Sequence, residues 1–583
     1  MSHEKPNFAE AEPVISGEGN MCGTDNARCR RSAGVEGHIT SERNAPEPER
    51  SQARPQAAKP SGPHREGEEP KPMTHGHEKS DFAVIATKPP NKTGLPAAEA
   101  VERRAEAEEN ANQCNTGRTQ RREIVKQALD RVRKAARQRK KERFTALLHH
   151  ITTDLLWLSF HALRRDAAPG IDNVTWRDYE ADLERNLQDL HARVHRGAYR
   201  AQPSRRRYIP KADGRQRPLA VAALEDKIVQ RATAAILNQI YEEEFLGFSY
   251  GFRPKRSQHD ALDALITGIH CTKVNYIFDA DLRSFFDSVS QQWLIRFLKH
   301  RINDTRMLRL IQKWLKAGVL EDGVLTVSDR GTGQGSVISP LLANVYLHYV
   351  FDLWAERWRH REAVGNVIIV RYADDLIIGF ELDKDARRFQ EAMCDRLREF
   401  SLSLHPEKTR LIEFGRFAVE RRAHRRLGKP ETFNFLGFTF ICGTSSGGQF
   451  QIKRKTRRDR MRAKLKEIRE EMRQRRHHSI PEQGHWLRQV VTGFFAYHAV
   501  PTNIWSLGTF RFRIIDLWRR SLRRRSQKDG TTWRRITKLA NDFLPRARIL
   551  HPWPQERFAV NYPRWEPSAR MGLARFCAGG AQQ

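Results

Sequence analysis

Two adjacent aspartates, Asp374 and Asp375, stand between two apolar runs of the sequence, Val367–Val370 and Leu376–Ile378. Short apolar runs on both sides of an acidic turn predict a β-hairpin. Two carboxylates about 4 Å apart repel each other by roughly 4 kcal/mol at an effective dielectric constant of about 20. A bound divalent cation would remove that repulsion, whereas a solvated Asp-Asp turn would give the same local pattern without any chemistry.

A second acidic pair, Asp279 and Asp281, lies earlier in the chain among apolar residues. Residues two apart share one face of a strand. If Asp281 converges with Asp374 and Asp375, the three carboxylates could hold two hard cations. Mg²⁺ prefers oxygen ligands, and two metal ions about 3.5–4 Å apart stabilise the attacking and leaving oxygens of phosphoryl transfer. The acidic residues therefore predict a metal-dependent phosphoryl-transfer site.

The elements that must position these carboxylates follow from the hydrophobic pattern. Between residues 150 and 440, short β-rich runs alternate with amphipathic helices, which predicts a mixed α/β body. Beyond residue 440 the pattern becomes helical and arginine-rich, with candidate helices at 457–476, 486–498 and 510–525. Ahead of the body, residues 121–150 predict a basic helix whose apolar face includes Ile124.

The overall charge indicates the class of partner. The 583 residues include 103 Lys and Arg against 70 Asp and Glu, which gives a formal net charge of +33. Residues 441–583 alone carry a net charge of +21. Such a chain repels itself unless it meets a polyanion, so nucleic acid is the expected partner.

Composition also excludes several classes of protein. The apolar runs fall far short of the about 20 residues that cross a bilayer, so no membrane partner is expected. The seven cysteines form no Cys-x-x-Cys pair, which argues against a disulfide scaffold and a structural zinc site and favours a reducing cytosol. Residues 1–120 contain 12 of the 27 prolines and only two aromatic residues. Such a segment cannot bury enough apolar surface to fold, so we expect it to be disordered.

Seven blocks of the sequence occur in an order that resembles the bacterial group II intron-encoded reverse transcriptase/maturase family. The blocks are Ile209–Leu219, Tyr250–Asp260, Asp281–Phe286, Gly331–Asn344, Tyr372–Asp375, His405–Thr409 and Asn434–Phe438. The resemblance implies an α+β right-hand polymerase with fingers and palm at 121–440. It further implies an α-helical thumb/maturase domain at 441–545. The basic tail at 546–583 is expected to contact DNA.

The same resemblance implies RNA-directed DNA synthesis with two Mg²⁺ ions, for which Mn²⁺ could substitute. Asp281, Asp374 and Asp375 would be the metal ligands, and Asp279 would be structural. Lys408 resembles a family lysine proposed to protonate the leaving pyrophosphate. Taken alone, Lys408 would be interpreted as an ordinary surface residue.

Four further residues are implied to bind the incoming dNTP. Lys211 and Arg217 would clamp the triphosphate from the two sides of a hairpin. Phe286 would stack under the sugar and exclude a 2′-hydroxyl, and Gln334 would support the templating pair or the nucleotide. Without the family, a solvated hairpin and a core phenylalanine would be the preferred interpretations.

The basic segment after residue 440 is expected to hold the RNA template and the group II intron RNA through phosphate contacts. Its candidate RNA-binding residues are Arg454, Lys455, Arg457, Arg458, Arg519, Arg520, Arg523, Arg524 and Arg525. Trp518 and Trp533 are expected in the core rather than stacked on bases. The cysteine-paired endonuclease of some family members has no counterpart here, so the DNA primer is expected from elsewhere, such as a replication fork. The expected location is the bacterial cytoplasm, with nucleoid association during action on DNA.

Three functions remain open at this point. The first is an active RNA-directed DNA polymerase that assists the splicing and retrotransposition of its own intron. The second is a reverse transcriptase used outside an intron, in DNA repair or defence. The third is a non-enzymatic RNA-splicing factor that has kept the fold, which the three intact carboxylates disfavour.

Overall fold

Helices and short strands alternate through most of the chain. The computed structural model describes residues 116–210, 216–525 and 530–561, all of which belong to one folded unit. The described residues confirm the α+β class that the hydrophobic pattern predicts. No described helix is long and apolar enough to span a membrane.

The first part of the described chain is mainly helical. Its elements are α1 (Thr116–Gln138), α2 (Thr153–His161), α3 (Trp176–Glu180), α4 (Leu183–His195), β1 (Ser204–Pro210), β2 (Gln216–Val221), α5 (Leu224–Tyr241) and α6 (Gln258–Cys271). A short 3₁₀ turn at Leu148–His150 lies between α1 and α2.

The middle of the chain holds the strands of the central sheet. Its elements are β3 (Tyr276–Asp281), α7 (Phe285–Ser288), α8 (Gln291–Lys299), α9 (Thr305–Lys316), β4 (Val319–Glu321), β5 (Val324–Thr326), α10 (Ser339–Leu347), a π-helical turn (His348–Asp352), α11 (Leu353–Arg361), β6 (Val367–Tyr372), β7 (Asp375–Phe380), α12 (Asp383–Glu399) and β8 (Arg410–Glu413).

A small sheet and a helical region follow. The elements are α13 (Ala418–His424), β9 (Phe433–Phe435), β10 (Phe438–Thr444), β11 (Phe450–Thr456), α14 (Arg458–Gln474), α15 (Ile480–His498), α16 (Ile504–Arg523), α17 (Trp533–Phe543) and α18 (Pro554–Asn561). A 3₁₀ turn at Arg475–His477 extends α14.

The described strands form three sheets. The central sheet has the order β6-β7-β3-β8 and is antiparallel throughout. A second sheet has the order β2-β1-β4-β5, in which β1 and β2 form an antiparallel hairpin and β1 runs parallel to β4. The third is the antiparallel sheet β11-β10-β9.

The central sheet is covered on both faces, which explains its uninterrupted apolar runs. Ile369 and Ile378 belong to the largest hydrophobic cluster, which is built mainly from helices. Ile368 and Ile377, one residue away in each strand, belong to a second cluster that includes α6 and the β9–β11 sheet. Alternate residues of a strand point to opposite faces, so every residue of Val367–Val370 is buried.

A third hydrophobic cluster joins α14, α15, α16 and α17 into a helical bundle with Trp518 at its centre. The three helices expected between residues 457 and 525 are thus confirmed. The expectation of helix directly after residue 440 is wrong, because β10 and β11 continue to Thr456. The phenylalanines of the β9 and β10 strands pack under the central sheet, which favours strand over helix there.

Several expectations near the ends of the chain meet the structure only in part. Residues 1–115 and 562–583 lie outside the described residues, while 116–120 already belong to α1. The expectation that Ile124 lies on the buried face of α1 is wrong, since Ile124 is 57% exposed and its neighbour Val125 is buried. The part of the basic tail that is described includes α18, which packs on α6 through an ion pair between Arg557 and Asp263 (3.2 Å).

Candidate active site

The hairpin predicted around the paired aspartates is present at the end of the central sheet. Tyr372 and Asp375 close the β6–β7 ladder, and Ala373 and Asp374 form the two-residue turn. Asp281, the last residue of β3, lies directly opposite Asp375. Directly opposed residues in antiparallel strands have Cβ atoms about 4.5–5.5 Å apart. The fold therefore brings together three carboxylates that are up to 94 positions apart in the chain.

The crowding of these carboxylates changes their proton affinity. Solvent reaches Asp375, but protein surrounds it closely, so it lies in a recess of the surface. Desolvation there, followed by the charges of Asp374, Asp281 and Asp279, raises the pKa of Asp375 to about 7. Desolvation also raises the pKa of Asp374, with a further contribution from Asp281. Negative charge at this turn is thus costly unless a cation is present.

Protein cations already lie beside two of the carboxylates. The Lys408 ammonium forms an ion pair with Asp281, and the His405 backbone N–H donates to the Asp281 carbonyl (2.7 Å), which fixes the loop that carries Lys408. Arg410 of β8 is directly opposite Asp279 and pairs with it (3.5 Å). Desolvation nevertheless raises the pKa of Asp279 to about 6, an effect that Arg410 opposes. No local sequence pattern indicated the partnership of Arg410.

The donor chemistry of this site suits a hard divalent cation, because carboxylate oxygens are the ligands that Mg²⁺ prefers. Among the residues described, no three or more His, Cys, Asp or Glu side chains form a cluster spaced for a metal ion. Mg²⁺ is usually held by one or two carboxylates together with substrate phosphates, and carboxylates are available here at Asp281, Asp374 and Asp375. Lys408 would have to leave Asp281 before a cation could reach the carboxylate oxygen with which the lysine pairs.

The β1–β2 hairpin meets the glycine-rich loop beside the acidic turn. The Ala220 N–H of β2 donates to the Gln334 carbonyl (2.7 Å). Gly335 has φ of +107°, and a Cβ there would stand 3.1 Å from the Ala220 carbonyl oxygen, so glycine permits this approach. Arg217, on the same strand, lies near enough to Asp374 to lower its pKa. The structure thus brings Arg217 close to Asp374 and joins the backbone of Gln334 to β2. Lys211 lies outside the described residues.

Phe286 lies just beyond β3, in the short helix α7. Its carbonyl accepts a hydrogen bond from the Thr332 N–H of the glycine-rich loop (2.8 Å). Its ring is half-buried against Phe285, with 5.4 Å between the ring centroids. The ring therefore combines packing with partial exposure, and the backbone of Phe286 contacts the glycine-rich loop.

The candidate RNA-binding residues divide by exposure. Arg454 is 2% exposed and pairs with the buried Asp263 (3.3 Å), so the prediction that it contacts RNA is wrong. The half-buried side chains are Arg457, Arg519 and Arg525, and the exposed ones are Lys455, Arg458, Arg520, Arg523 and Arg524. Arg457 pairs with Asp459, two residues further along the chain.

An aromatic surface beside these arginines was not expected. Trp518 is fully buried, as predicted, but Trp533 is 43% exposed, so its expected place in the core is wrong. Its ring stacks on the exposed Phe512 with 5.7 Å between centroids, and the Arg519 guanidinium lies 4.4 Å from the Trp533 ring centroid. Only the three-dimensional packing of α16 against α17 brings these residues together.

Comparison with known proteins gives a consistent set of similarities. A family profile described as "Reverse transcriptase (RNA-dependent DNA polymerase)" matches residues 209–440. The Escherichia coli (strain K12) protein YkfC is 34% identical over 320 residues, which cover 49% of this chain and 78% of YkfC.

Two intron-related proteins are also similar over a shorter region. The group II intron-encoded protein LtrA of Lactococcus lactis subsp. cremoris is 32% identical over 222 residues, 38% of this chain and 37% of LtrA. An uncharacterized 91 kDa protein in the cob intron of Schizosaccharomyces pombe is 42% identical over 222 residues, 38% of this chain and 27% of that protein. The chain thus matches little more than a third of LtrA and about a quarter of the cob intron protein.

Proposed function

Since the chain belongs to the reverse transcriptase family, we propose that it copies RNA into DNA by a two-Mg²⁺ mechanism. Its relatives include a group II intron-encoded protein. We further propose that this chain binds its own intron RNA and assists splicing and retrotransposition. The observation that carries the polymerase proposal is the convergence of Asp281, Asp374 and Asp375 at one end of the central sheet.

Asp281, Asp374 and Asp375 would hold the metal ions. When bound, Mg²⁺ activates the primer hydroxyl and stabilises the charge on the transferring phosphoryl group. Lys408 contacts Asp281 and would donate a proton to the leaving pyrophosphate. Its position supports this role, because any group held by Asp281 lies within reach of the lysine.

The nucleotide would bind between the β1–β2 hairpin and the glycine-rich loop. Arg217 and Lys211 would contact the triphosphate. Gln334 would support the base pair or the nucleotide, and Phe286 would lie under the sugar and exclude ribonucleotides. The hydrogen bond from Ala220 to Gln334 supports this assignment, since it couples the hairpin to the loop.

Each region of the chain would correspond to one subdomain of a right-hand polymerase. Residues 121–440 would form the fingers and palm, with β1–β2 in the fingers and the central sheet in the palm. Residues 441–545 would form the thumb/maturase domain, and 546–583 a basic tail that contacts DNA. The strands at 438–456 would then connect the palm to the thumb.

RNA would be held on the exposed basic face of the helical bundle. Arg520, Arg523 and Arg524 are exposed on or just after α16, and phosphate contacts of this kind position a nucleic acid without reading its sequence. The neighbouring Phe512–Trp533 stack offers a platform for an unpaired base, since aromatic stacking tolerates any base. Lys455, Arg457, Arg458, Arg519 and Arg525 would extend this basic surface.

Primer extension on an RNA template tests the polymerase proposal. We expect Mg²⁺-dependent cDNA synthesis by the full chain, and its loss in Asp374→Asn. Asp395→Asn is the matched control, because Asp395 is an exposed α12 aspartate that pairs only with nearby Arg398 (2.8 Å) in the described interactions. Full activity of Asp374→Asn would show the metal assignment to be wrong. Binding of intron RNA without any DNA synthesis by the unsubstituted protein would favour the non-enzymatic splicing factor.

A further inference from the structure

Arg371 is fully buried at the end of β6, three residues before Asp374. Its guanidinium has five N–H groups, and the structure provides five acceptor contacts for them. The acceptors are both carboxylate oxygens of Asp352 (2.7 and 2.6 Å), the Ser249 hydroxyl (2.6 Å), the Asn344 side-chain oxygen (3.0 Å) and the Ala373 carbonyl (3.0 Å). The side chain therefore links four separate parts of the chain.

The contact with Ala373 connects this buried group to the acidic turn. The Ala373 carbonyl belongs to the peptide unit that leads directly into Asp374. Ala373 has φ of +56°, a left-handed conformation that non-glycine residues adopt only when their surroundings enforce it. The hydrogen bond from Arg371 to this carbonyl is one such restraint.

A second restraint comes from the backbone of Gly251. A Cβ at this position would stand 2.2 Å from the Ala373 nitrogen, so only glycine allows the two backbones to approach this closely. The Asn344 side-chain amide donates to the Gly251 carbonyl (2.7 Å) while its oxygen accepts from Arg371. Asn344 thus contacts both residues that restrain the turn, Arg371 and Gly251.

The partners of Arg371 come from elements that flank the hairpin. Asp352 ends the π-helical turn after α10, and such turns often place a side chain at a functional site. The segment before Gly251 is held to the strand as well, since the Tyr250 N–H donates to the Arg371 carbonyl (2.8 Å) and the Arg371 N–H donates to the Phe248 carbonyl (2.9 Å). The blocks Tyr250–Asp260 and Gly331–Asn344 therefore meet at this one residue, the first at its backbone and the second at its side chain.

We propose that Arg371 is a positioning residue for the polymerase reaction: through the Ala373 carbonyl it fixes the turn that carries Asp374 and Asp375. This inference rests on the proposed function of those carboxylates. Arg371 is buried away from solvent, so it acts through the turn and not on the substrate. Lysine cannot replace it, because an ammonium has three N–H donors and no planar fork to engage both Asp352 oxygens and the turn.

Arg371→Lys separates positioning from nucleotide binding. We expect kcat for primer extension to fall about 100-fold, the size of effect that a displaced catalytic group produces. The KM for dNTP should stay unchanged, because Arg217 and Gln334 lie on other elements. Titration of the protein with Mn²⁺ alone, without nucleotide, should also show weaker binding than in the unsubstituted protein.

The control is Arg301→Lys. Arg301 is 4% exposed, pairs with Glu244 (2.6 Å) and donates to the Arg139 carbonyl (3.2 Å), so it matches Arg371 in burial but does not contact the hairpin. Both variants should lose thermal stability, and only Arg371→Lys should lose kcat and Mn²⁺ affinity.

Asn344→Ala provides a second test if Arg371→Lys fails to fold. It removes one partner of Arg371 and the hydrogen bond to Gly251 without leaving a buried charge unpaired, and we expect the same fall in kcat with an unchanged KM. Unchanged kcat and Mn²⁺ affinity in both variants, or an equal loss in Arg301→Lys, would overturn the positioning role. Failure of the unsubstituted protein to synthesise DNA would instead overturn the proposed function.

Discussion

Replacing Lys408 by Met should strengthen divalent-cation binding and at the same time slow DNA synthesis. The ammonium of Lys408 pairs with Asp281, whose oxygen a metal ion would need. A cation can reach that oxygen only after the ion pair has opened, so the lysine competes with the metal. The same lysine is proposed to protonate the pyrophosphate, so its loss should also remove a proton donor from the reaction.

The size of the competition follows from the exposure of the pair. In a site of effective dielectric constant about 20, two charges about 4 Å apart attract by roughly 4 kcal/mol. The Lys408 side chain is 52% exposed and that of Asp281 is 25% exposed, so solvent screens most of this attraction. Exposed pairs contribute about 0.2–1 kcal/mol. Taking about 1 kcal/mol, removal of Lys408 should tighten metal binding roughly fivefold, since about 1.4 kcal/mol is tenfold.

Metal binding and turnover must be measured separately to see the two opposite effects. Mn²⁺ binding to the nucleotide-free protein can be followed by the electron paramagnetic resonance signal of the free ion at pH 8, where Asp375 is ionised. Turnover is measured by single-nucleotide primer extension, and loss of a general acid typically costs about 100- to 10,000-fold. Lys408→Arg keeps the charge and should leave Mn²⁺ affinity near that of the unsubstituted protein. Weaker or unchanged Mn²⁺ binding in Lys408→Met would refute the competition, and undiminished turnover would refute the proton donor.

Two further predictions concern stability and RNA. The pKa of Asp375 is about 7 in the folded protein against 3.8 ordinarily, so its ionisation begins to destabilise the fold as pH rises through 4, and the effect is complete above 7. Asp375→Asn should therefore raise the metal-free melting temperature at pH 8 and leave it unchanged near pH 4. A melting temperature, measured by calorimetry, that rises near pH 4 and not at pH 8 would contradict this. Replacing Arg520, Arg523 and Arg524 by Gln should weaken RNA binding. The slope of log affinity against log salt concentration should fall by about 0.7–0.9 for each phosphate that the protein no longer neutralises. Arg454→Gln should instead lower the melting temperature and leave that slope unchanged, because the Arg454 guanidinium pairs with buried Asp263.

The sequence was informative where a short segment determines its own structure. The hairpin at Asp374 was predictable because two apolar runs flank a two-residue turn, and the helices after Arg457 were predictable from their periodic apolar faces. The burial of Arg454 could not be predicted in this way. It stands in a run of three basic residues that resembles a solvated surface, but β11 turns its side chain toward Asp263, which is 191 positions away. Burial through a distant partner leaves no local signal.

The acidic site also depends on contacts between distant residues, which local sequence patterns do not reveal. These contacts show how basic residues of the chain stabilise the carboxylates. Arg217 of β2, Lys408 of the loop before β8, and Arg410 of β8 each lie close enough to lower the pKa of a neighbouring carboxylate. These cations come from separate elements, so no single motif of the sequence revealed that they surround the site together. Under the proposed function, a triphosphate that binds with Mg²⁺ would give the carboxylates a new cation and the protein cations a new anion. Lys408 and Arg217 would then exchange one charged partner for another, so the same side chains would suit both the empty and the loaded site.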